Sequence, residues 1–232
     1  MKRTKKQRKG PPFPDAMDDL DPMGIVSDPP REKFHVAFPP KGDNPWPKLN
    51  KDKPGKGYVL TNDPSITAWG WAIVDPSDNS IVDHGAIKTV PQAKKLRTRK
   101  GDDRVRRIQE INAELIRVIK KYSPSLLISE LPHGSQSAVA ATGIGIVTGV
   151  MQTIGDCLNI PVEWFSEGDA KMATLGRRSA EKDDMVIKIC DLFKCKRWTG
   201  IAWRDEAVAD SLAVYYVARQ QSTALKMLAV VQ

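Results

Sequence analysis

The sequence predicts an α/β domain with a five-stranded mixed sheet flanked by helices, preceded by an arm of different composition. Three observations lead to this prediction. Three short extended segments with brief connections follow residue 57, and such connections are typical of antiparallel strands. Apolar residues at helical spacing then alternate with two further extended segments, which is typical of helices that cover a sheet. Residues 1–56 hold 11 of the 17 prolines and lack apolar periodicity.

The first 56 residues are predicted to form a disordered, basic and proline-rich arm. They begin with a basic run from Met1 to Lys9, and they offer too little apolar surface to offset the entropy of ordering. The basic tip suits contacts with a DNA backbone or an import signal, and a solubilising tail explains it equally well. We therefore divide the chain into the arm at 1–56, a folded domain at 57–221 and a C-terminal tail at 222–232.

The five strands are predicted from short segments rich in apolar residues and bounded by turn-forming residues. The turn Asp75-Pro-Ser-Asp-Asn79 separates the second strand from the third. The fourth, Leu126-Leu-Ile-Ser129, is almost wholly apolar and ends at Glu130, which is typical of a central parallel strand. The predicted strands are 58–61, 68–74, 80–88, 126–129 and 161–165.

The helices are predicted from apolar residues three and four positions apart. Val105, Ile108, Ile111 and Leu115 have this spacing in the first helix. The second helix is rich in Gly and Ala. The predicted helices are centred on 105–119 and then cover 137–158, 168–175, 180–193 and 203–220.

The charge balance favours a polyanionic partner. Lys and Arg number 36 against 28 Asp and Glu, the net charge is +8 and the pI is about 9.4. Basic side chains bind phosphates with release of condensed counterions, which makes a nucleic acid the favoured partner. Ribosomal and membrane-surface proteins share this balance, so charge alone leaves them open.

Cysteine usage and hydropathy argue against several other classes. The three cysteines show no repeated C-x-x-C spacing, which argues against a disulfide scaffold and a zinc site. The longest apolar run, residues 138–151, is shorter than the ~18 residues of a membrane span, so no membrane partner is predicted. No hydrophobic signal core follows the basic N-terminus, so we predict an intracellular protein, with a nuclear location left open.

Two carboxylates are predicted to lie at the ends of neighbouring strands. Asp63 follows the first strand and Glu130 ends the fourth, and in each case a proline follows closely and breaks the strand. If these strands are adjacent and parallel, the two side chains meet at one edge of the sheet. Two such carboxylates repel each other unless a proton or a cation lies between them. Taken alone, an Asp before Pro-Ser is more often a turn former.

The last predicted helix offers further acidic residues. Glu206 and Asp210 are four residues apart and share a helix face, while Asp205 lies off that face. An all-oxygen ligand set suits Mg²⁺ or Mn²⁺, and four carboxylates can hold two such ions for phosphodiester hydrolysis. A solvated helix face is the alternative interpretation of Glu206 and Asp210.

These acidic positions fall in motifs that resemble those of RuvC-like Holliday-junction resolvases. The first-strand signature is similar to Leu60-Thr-Asn-Asp63-Pro-Ser-Ile-Thr67-Ala-Trp-Gly70-Trp-Ala-Ile-Val, and the second acidic motif to Leu127-Ile-Ser-Glu130. Ala209-Asp210-Ser-Leu-Ala resembles the closing motif. Phage-type members resemble the chain at Gly134-Ser-Gln-Ser-Ala138 and at Gly176-Arg-Arg-Ser-Ala-Glu-Lys182-Asp-Asp-Met-Val. The resemblance extends from about residue 57 to 219.

The resemblance implies a ribonuclease-H-like fold, a homodimer, two Mg²⁺ or Mn²⁺ ions per active site and paired nicks at a four-way junction. Asp63, Glu130 and Asp210 match the family's metal ligands, and Lys182 matches a basic residue near the scissile phosphate. Many members carry an Asp or His where this chain has Ala207, so Glu206 is our predicted substitute, with Asp205 as a weaker candidate. Asn62 also departs from the pattern, because an apolar residue usually precedes the first Asp.

Residues outside the acidic motifs are predicted to contact DNA. The segment 94–107 carries eight basic and two acidic side chains, which suits phosphate contacts, although a flexible solvated loop explains it too. His133 lies where some relatives carry an aromatic residue that stacks at the junction centre, with simple solvation as the alternative. The predicted DNA-binding residues are Lys94, Lys95, Arg97, Arg99, Lys100, Arg104, His133, Ser135 and Gln136.

Three rival functions remain open on sequence grounds. A ribonuclease-H-like nuclease acting on flaps or hybrids would share the same acidic site. A junction-binding protein without catalysis would explain the departures at Asn62 and Ala207. An actin-like ATPase also uses an Asp-Pro-Ser-x-Thr type of turn, but the segment Glu130-Leu-Pro-His-Gly134 is a poor match for its second phosphate loop.

Overall fold

A computed structural model describes residues 57–231, apart from residues 94, 96, 97, 136, 180 and 197 and the side chains of Lys182 and Val231. The predicted arm at 1–56 lies outside the described residues. The described chain forms five strands and six helices in the predicted order. These are β1 (Val59–Asp63), β2 (Ala68–Asp75), β3 (Ser80–Lys88), α1 (Lys100–Tyr122), β4 (Leu126–Leu131), α2 (Ala138–Leu158), β5 (Val162–Ser166), α3 (Glu167–Leu175), α4 (Lys182–Leu192), α5 (Ala202–Gln221) and α6 (Thr223–Val231).

The strands form one mixed sheet in the order β3-β2-β1-β4-β5. The first three strands are antiparallel neighbours, as their short connections predict. Strand β4 pairs with β1 in parallel, and β5 pairs with β4 in parallel. The predicted adjacency of the first and fourth strands is therefore confirmed, and so is the five-stranded mixed sheet.

Helices cover both faces of the sheet, which explains why its central strands β1 and β4 are buried on both sides. On one face α4 and α5 pack against β1, β2 and β4, and the buried residues there include Val59, Ile128 and Leu212. On the other face α1 and α2 pack against the same strands, with Leu60 and Leu127 in the buried layer. Alternate residues of β1 and β4 thus point toward opposite helix layers.

Helix α5 is the most deeply buried of the described helices, and one glycine sets its distance from the sheet. A Cβ added to Gly70 of β2 would lie 1.8 Å from the carbonyl oxygen of Ala207, so no larger residue fits without a shift. Because the helix contacts the strand at this turn, the cavity described below opens only one turn later, where Asp210 lies.

Helix α2 is the crossover between the parallel strands β4 and β5. Among the described residues it is the one helix long and apolar enough to cross a membrane by length and composition alone. The uninterrupted apolar run ends at residue 151, but the helix continues to Leu158, as predicted, and the whole helix is long enough to cross a membrane, so the argument from the length of the run is wrong. Its buried residues Val147, Met151 and Ile154 instead pack against the sheet.

The segment 222–232, which is predicted to be a C-terminal tail, contains the helix α6. Ser222 separates α5 from α6 with an extended backbone, and its hydroxyl accepts a hydrogen bond from the N–H of Leu225. Leu225 is buried against the core layer that contains α5. Residues 223–231 therefore form part of the folded domain.

Candidate active site

Three parallel strands bring acidic residues to one edge of the sheet. In the parallel register Asn62 pairs with Ser129, so Asp63 and Glu130 follow side by side at the carboxyl ends of β1 and β4. Strand β5 ends in the same place, because its last residues pair with Glu130 and Leu131. Glu167, the first residue of α3, directly follows the end of β5.

A cavity of about 120 Å³ lies at this edge, between the strand ends and the helices α3, α4 and α5. Five acidic side chains and one basic side chain line it, together with three apolar residues. The lining residues are Asp63, Glu130, Glu167, Glu181, Asp210, Lys171, Ala170, Met185 and Ala213.

Glu130 has the most perturbed titration of these groups. Its pKa is raised from 4.5 to about 9, first because the carboxyl group is buried and then because Asp63, Asp210 and Glu167 repel its charged form. Lys171 acts in the opposite direction. Burial among like charges is the environment that a bound cation would relieve.

Lys171 brings a positive charge to the cavity. Its ammonium group donates a hydrogen bond to Glu167 one helical turn earlier, and that bond is the first cause of the raised pKa of Lys171. Asp210 and Glu130 also raise the pKa of Lys171. The lysine is therefore held charged beside the carboxylates.

The donor chemistry of the cavity fits a hard divalent cation. The acidic groups are carboxylates, which Mg²⁺ and Mn²⁺ favour, and none of the described His or Cys residues lines the cavity. Among the residues described, no three His, Cys, Asp or Glu side chains converge closely enough to hold one ion in the present arrangement. The carboxylates surround the cavity, and ion binding would require them to turn toward one another.

The structure brings together three of the four predicted metal ligands. Asp63, Glu130 and Asp210 line the same cavity, whereas Glu206 is half-buried on α5 and is not among the lining residues. The weaker candidate, Asp205, is buried, and its carboxylate accepts hydrogen bonds from the N–H groups of Thr199 and Gly200 and from the Thr199 hydroxyl. Asp205 thus fixes the loop before α5 and faces away from the cavity.

Sequence reasoning missed Glu167, Lys171 and Glu181. The rule that identified Glu130, a carboxylate at the end of a parallel strand, also applies to Glu167 after β5. Local spacing predicts a helix only from residue 168 and does not give the neighbour of the fifth strand, so the rule does not reach Glu167 from sequence alone. The predicted Lys182 begins α4, next to Glu181, and its side chain lies outside the described residues.

The departure at Asn62 has a structural explanation. Asn62 is fully buried on the face of β1 opposite to Asp63, and its side-chain oxygen accepts a hydrogen bond of 3.1 Å from the indole of Trp69. Its amide group donates to the carbonyl of Ile128 on β4 at 3.4 Å. Asn62 therefore ties β1 to its neighbours, and its side chain is directed away from the carboxylate cavity.

The structure describes some of the residues that are predicted to contact DNA. Lys95, Arg99 and Lys100 are exposed, and the last two lie at the start of α1, so the basic segment is partly helical. Arg99 forms an ion pair with Asp102 at 2.7 Å. Arg104 lines a second cavity of about 340 Å³ beside the turn Pro64–Thr67, directly after Asp63.

The remaining DNA-contacting candidates lie near the end of β4 or are not described. His133 is exposed, and its Nδ1 lies 3.9 Å from a carboxylate oxygen of Glu167. Ser135 is exposed and accepts a hydrogen bond from the N–H of Ser137. Lys94, Arg97 and Gln136 lie outside the described residues.

Curated relatives support the resemblance seen in the motifs, although no family model matches the chain. The crossover junction endodeoxyribonuclease RuvC of Endomicrobium trichonymphae is 26% identical over 159 residues, which is 67% of this chain and 77% of that protein. The RuvC of Pseudothermotoga lettingae is 27% identical over 66% of this chain and 87% of its own length. The RuvC of Rickettsia felis is 27% identical over 68% of this chain and 94% of its own length.

Solved structures agree with the observed fold. The Thermus thermophilus RuvC in complex with Holliday junction substrate superposes with a TM-score of 0.54 at 19% identity, over 70% of this chain and 92% of that one. Another Thermus thermophilus RuvC structure gives a TM-score of 0.52 at 20% identity, over 70% of this chain and 96% of that one. The predicted ribonuclease-H-like fold is thereby confirmed, while the phage-type assignment stays a prediction. The chain is RuvC-like in its sequence motifs and in its fold.

Proposed function

We propose that this protein is a divalent-metal-dependent endonuclease that resolves four-way or other branched DNA junctions by paired phosphodiester hydrolysis. One observation carries the proposal: the three acidic residues of the RuvC-like motifs line a single cavity at the carboxyl edge of a RuvC-like sheet. The relatives that share these motifs are named crossover junction endodeoxyribonucleases, and one solved neighbour holds a Holliday junction.

Asp63, Glu130 and Asp210 would hold the metal in this proposal. Bound divalent ions supply activation of a water molecule and stabilisation of the leaving 3′ oxygen in phosphodiester hydrolysis. Glu130 must lose its proton to serve as a ligand, and its raised pKa means that metal and proton compete for this carboxylate.

Two ions per active site, either Mg²⁺ or Mn²⁺, fit the charge of the described side chains around the cavity. If all are ionised, the five carboxylates and the one ammonium group described there leave four negative charges in a cavity of about 120 Å³. Two divalent cations balance that charge. Lys171 also lines the cavity and is held charged, so it would orient a non-bridging oxygen of the scissile phosphate.

The basic surface next to the cavity would position the DNA. Arg104 lies beside the turn that follows Asp63, and the start of α1 adds Arg99 and Lys100. Contacts of this kind bind the phosphate backbone without reading base sequence. The carboxylate cavity and the basic residues at the start of α1 therefore suit a DNA substrate that is recognised by the shape of its backbone.

A homodimer completes the proposal, because paired nicks need two active sites. Helix α2 presents an apolar face to solvent, and Gly145 and Gly149 on it have open space around them. A groove of about 380 Å³ lies between α2 and Asn112 and Ile116 of α1. Glycines on such a face let a second backbone approach closely.

A membrane span is a poor alternative for α2. The strands on either side of it, β4 and β5, are hydrogen-bonded neighbours in one sheet. A helix that crossed a bilayer would place these two strands on opposite sides of it. We therefore assign the apolar face to a second copy of the chain.

The decisive experiment is cleavage of labelled synthetic DNA. Purified protein is incubated with a four-way junction, a matched duplex and a flap, with and without Mg²⁺, beside the Asp210→Asn variant. Symmetric metal-dependent nicks on the junction alone, absent from the variant, are the expected result. Equal cutting of flap or duplex would contradict junction specificity. Tight junction binding without any cutting would contradict the nuclease, and ATP binding without cutting would favour an ATPase.

A further inference from the structure

Besides Asp63, Glu130 and Asp210, two carboxylates line the cavity, and neither lies on α5: Glu167 begins α3 directly after β5, and the exposed Glu181 precedes α4. Of the described residues of α5, Asp210 and Ala213 line the cavity, and the turn before them presses its backbone against Gly70. We infer that Glu167, at the end of β5, is the fourth metal ligand, in the role that sequence spacing assigned to Glu206. This inference rests on the proposed function and identifies a further residue of the same site.

The backbone of Glu167 is fixed next to Glu130. Phe165 and Ser166 of β5 pair with Glu130 and Leu131 of β4, so Glu167 follows at the level where β4 ends. The hydroxyl of Ser166 caps α3 by accepting a hydrogen bond from the N–H of Asp169. Strand pairing and the helix cap together fix the backbone of Glu167, and a metal ligand requires such a fixed backbone.

The side chain of Glu167 also faces the cavity. Its carboxylate lies among the lining residues and accepts a hydrogen bond from Lys171, which lines the cavity as well. Its side chain is 42% exposed, so it forms the rim of the cavity and has room to turn inward. His133 approaches its other oxygen at 3.9 Å.

This placement gives the site a simple plan. The three parallel strands β1, β4 and β5 each end in one carboxylate, from Asp63, Glu130 and Glu167, and α5 adds Asp210 across the cavity. Glu206 shares the helix face of Asp210, but it lies one turn earlier, on the turn adjacent to the contact between α5 and Gly70. Glu181 also lines the cavity, but it is the N-cap residue of α4 and follows no strand of the sheet. Geometry therefore favours Glu167 over both Glu206 and Glu181.

A competing explanation is that Glu167 only stabilises α3. An acidic residue in the first turn of a helix interacts favourably with the helix dipole, and a Glu–Lys pair four residues apart adds to this. Asp169, in the same first turn, is exposed and does not line the cavity, so it offers a matched control for the loss of one negative charge there.

Calorimetric titration of the full-length protein with Mn²⁺ separates these explanations without relying on cleavage. We expect Glu167→Gln and Asp210→Asn each to weaken Mn²⁺ binding by about tenfold or more. Asp169→Asn should leave Mn²⁺ affinity unchanged. Wild-type affinity in Glu167→Gln, or a loss in Glu206→Gln or Glu181→Gln in its place, would overturn the inference. Wild-type affinity in Asp210→Asn would overturn the proposed metal site itself, and this inference with it.

Thermal unfolding provides the second measurement. A ligand role predicts that Glu167→Gln loses the rise in melting temperature that Mn²⁺ gives the wild type, while its melting temperature in EDTA stays near that of Asp169→Asn. Glu167→Asp should regain part of the rise, since it restores a carboxylate. A purely structural role predicts a lower melting temperature in EDTA and an undiminished rise with Mn²⁺, which would overturn the inference.

Discussion

At the residue scale, Glu130 is set apart by a carboxyl group that is buried among like charges. Its pKa of about 9 implies that the folded protein without metal binds a proton there through the neutral range. A carboxyl group held protonated at neutral pH is a poor ligand until a cation displaces the proton. The residue thus couples metal binding to pH.

This coupling predicts how stability depends on pH when divalent ions are removed. The folded pKa is above the unfolded value of 4.5, so the folded state binds the proton more tightly. The contribution of Glu130 is therefore fully present below pH 4.5 and is lost as the pH rises through about 9. Urea unfolding in EDTA at several pH values should show this loss in the wild type and a flatter profile in Glu130→Gln. Parallel profiles would contradict the assignment.

Removing single carboxylates should separate cleavage from binding. We expect Asp63→Asn, Glu130→Gln or Asp210→Asn to reduce the rate of junction cleavage by at least about 100-fold, because each removes a metal ligand. Junction binding should remain, since basic residues outside the cavity supply it. Gel-shift and single-turnover assays measure the two properties, with Asp191→Asn on the exposed face of α4 as the control. A wild-type cleavage rate in any of the three would remove that residue from the site.

The sequence predicted those side chains whose position depends on local rules. Asp63 and Glu130 follow strands that are broken by proline, and Asp210 lies on a helix whose bounds the local pattern predicts to within one residue. Glu167 was missed because its role depends on strand order, which local spacing does not encode. Asn62 looked like a defect because its partner, Trp69, is seven residues away and meets it only after the hairpin folds.

At the scale of elements, the position of α5 over the sheet determines where Asp210 lies. The contact of Gly70 with the backbone of Ala207 leaves no room for a side chain. Since backbone atoms cannot move as freely as the end of a long side chain, a residue larger than glycine must displace the helix. The distance between α5 and β2 therefore links folding stability to catalysis.

Gly70→Ala tests this link. We expect the free energy of unfolding to fall by about 1–3 kcal/mol or more, since the added Cβ would lie 1.8 Å from the Ala207 oxygen. Cleavage should fall as well, because Asp210 shifts with the helix. Gly101→Ala on α1 is the control: a Cβ there meets nothing within 4 Å. Urea denaturation measures the free energy of unfolding of both variants. A Gly70→Ala variant as stable as the wild type would show that α5 adjusts without cost.

Most element boundaries could be predicted because turns and periodicity are local. The third strand matches its predicted range, Ser80–Lys88, and the other strands differ from prediction by two residues or fewer at either end. The helix α6 was missed because no glycine or proline separates it from α5. The signal that does exist is Ser222, whose hydroxyl caps the new helix, and a single serine is a weak indicator.

At the scale of the whole molecule, charge and hydrophobicity are distributed over different surfaces. The carboxylates lie at the edge of the sheet, basic residues begin α1 nearby, and the exposed apolar face belongs to α2. An exposed face of this kind is typical of a protein–protein interface. The proposed homodimer would cover it and leave the carboxylate cavity, on the other side of the sheet, open to DNA.

Gly149→Arg should therefore convert a dimer into a monomer. Gly149 lines the groove on α2 and has open space around it, so an arginine fits the isolated chain but places a charge in the proposed interface. Sedimentation velocity should show a dimer for the wild type and a monomer for the variant. Met227→Arg, at an exposed position on α6, is the control and should stay dimeric.

The same variant also tests whether the two cuts depend on the dimer. On a supercoiled plasmid that extrudes a four-way junction, two coordinated nicks give a linear product, whereas a single nick gives an open circle. We expect linear product from the wild type and from Met227→Arg, and open circles at most from Gly149→Arg. A monomeric variant that still gave linear product at the wild-type rate would show that the two nicks do not require the α2 interface, and the apolar face would then need another partner.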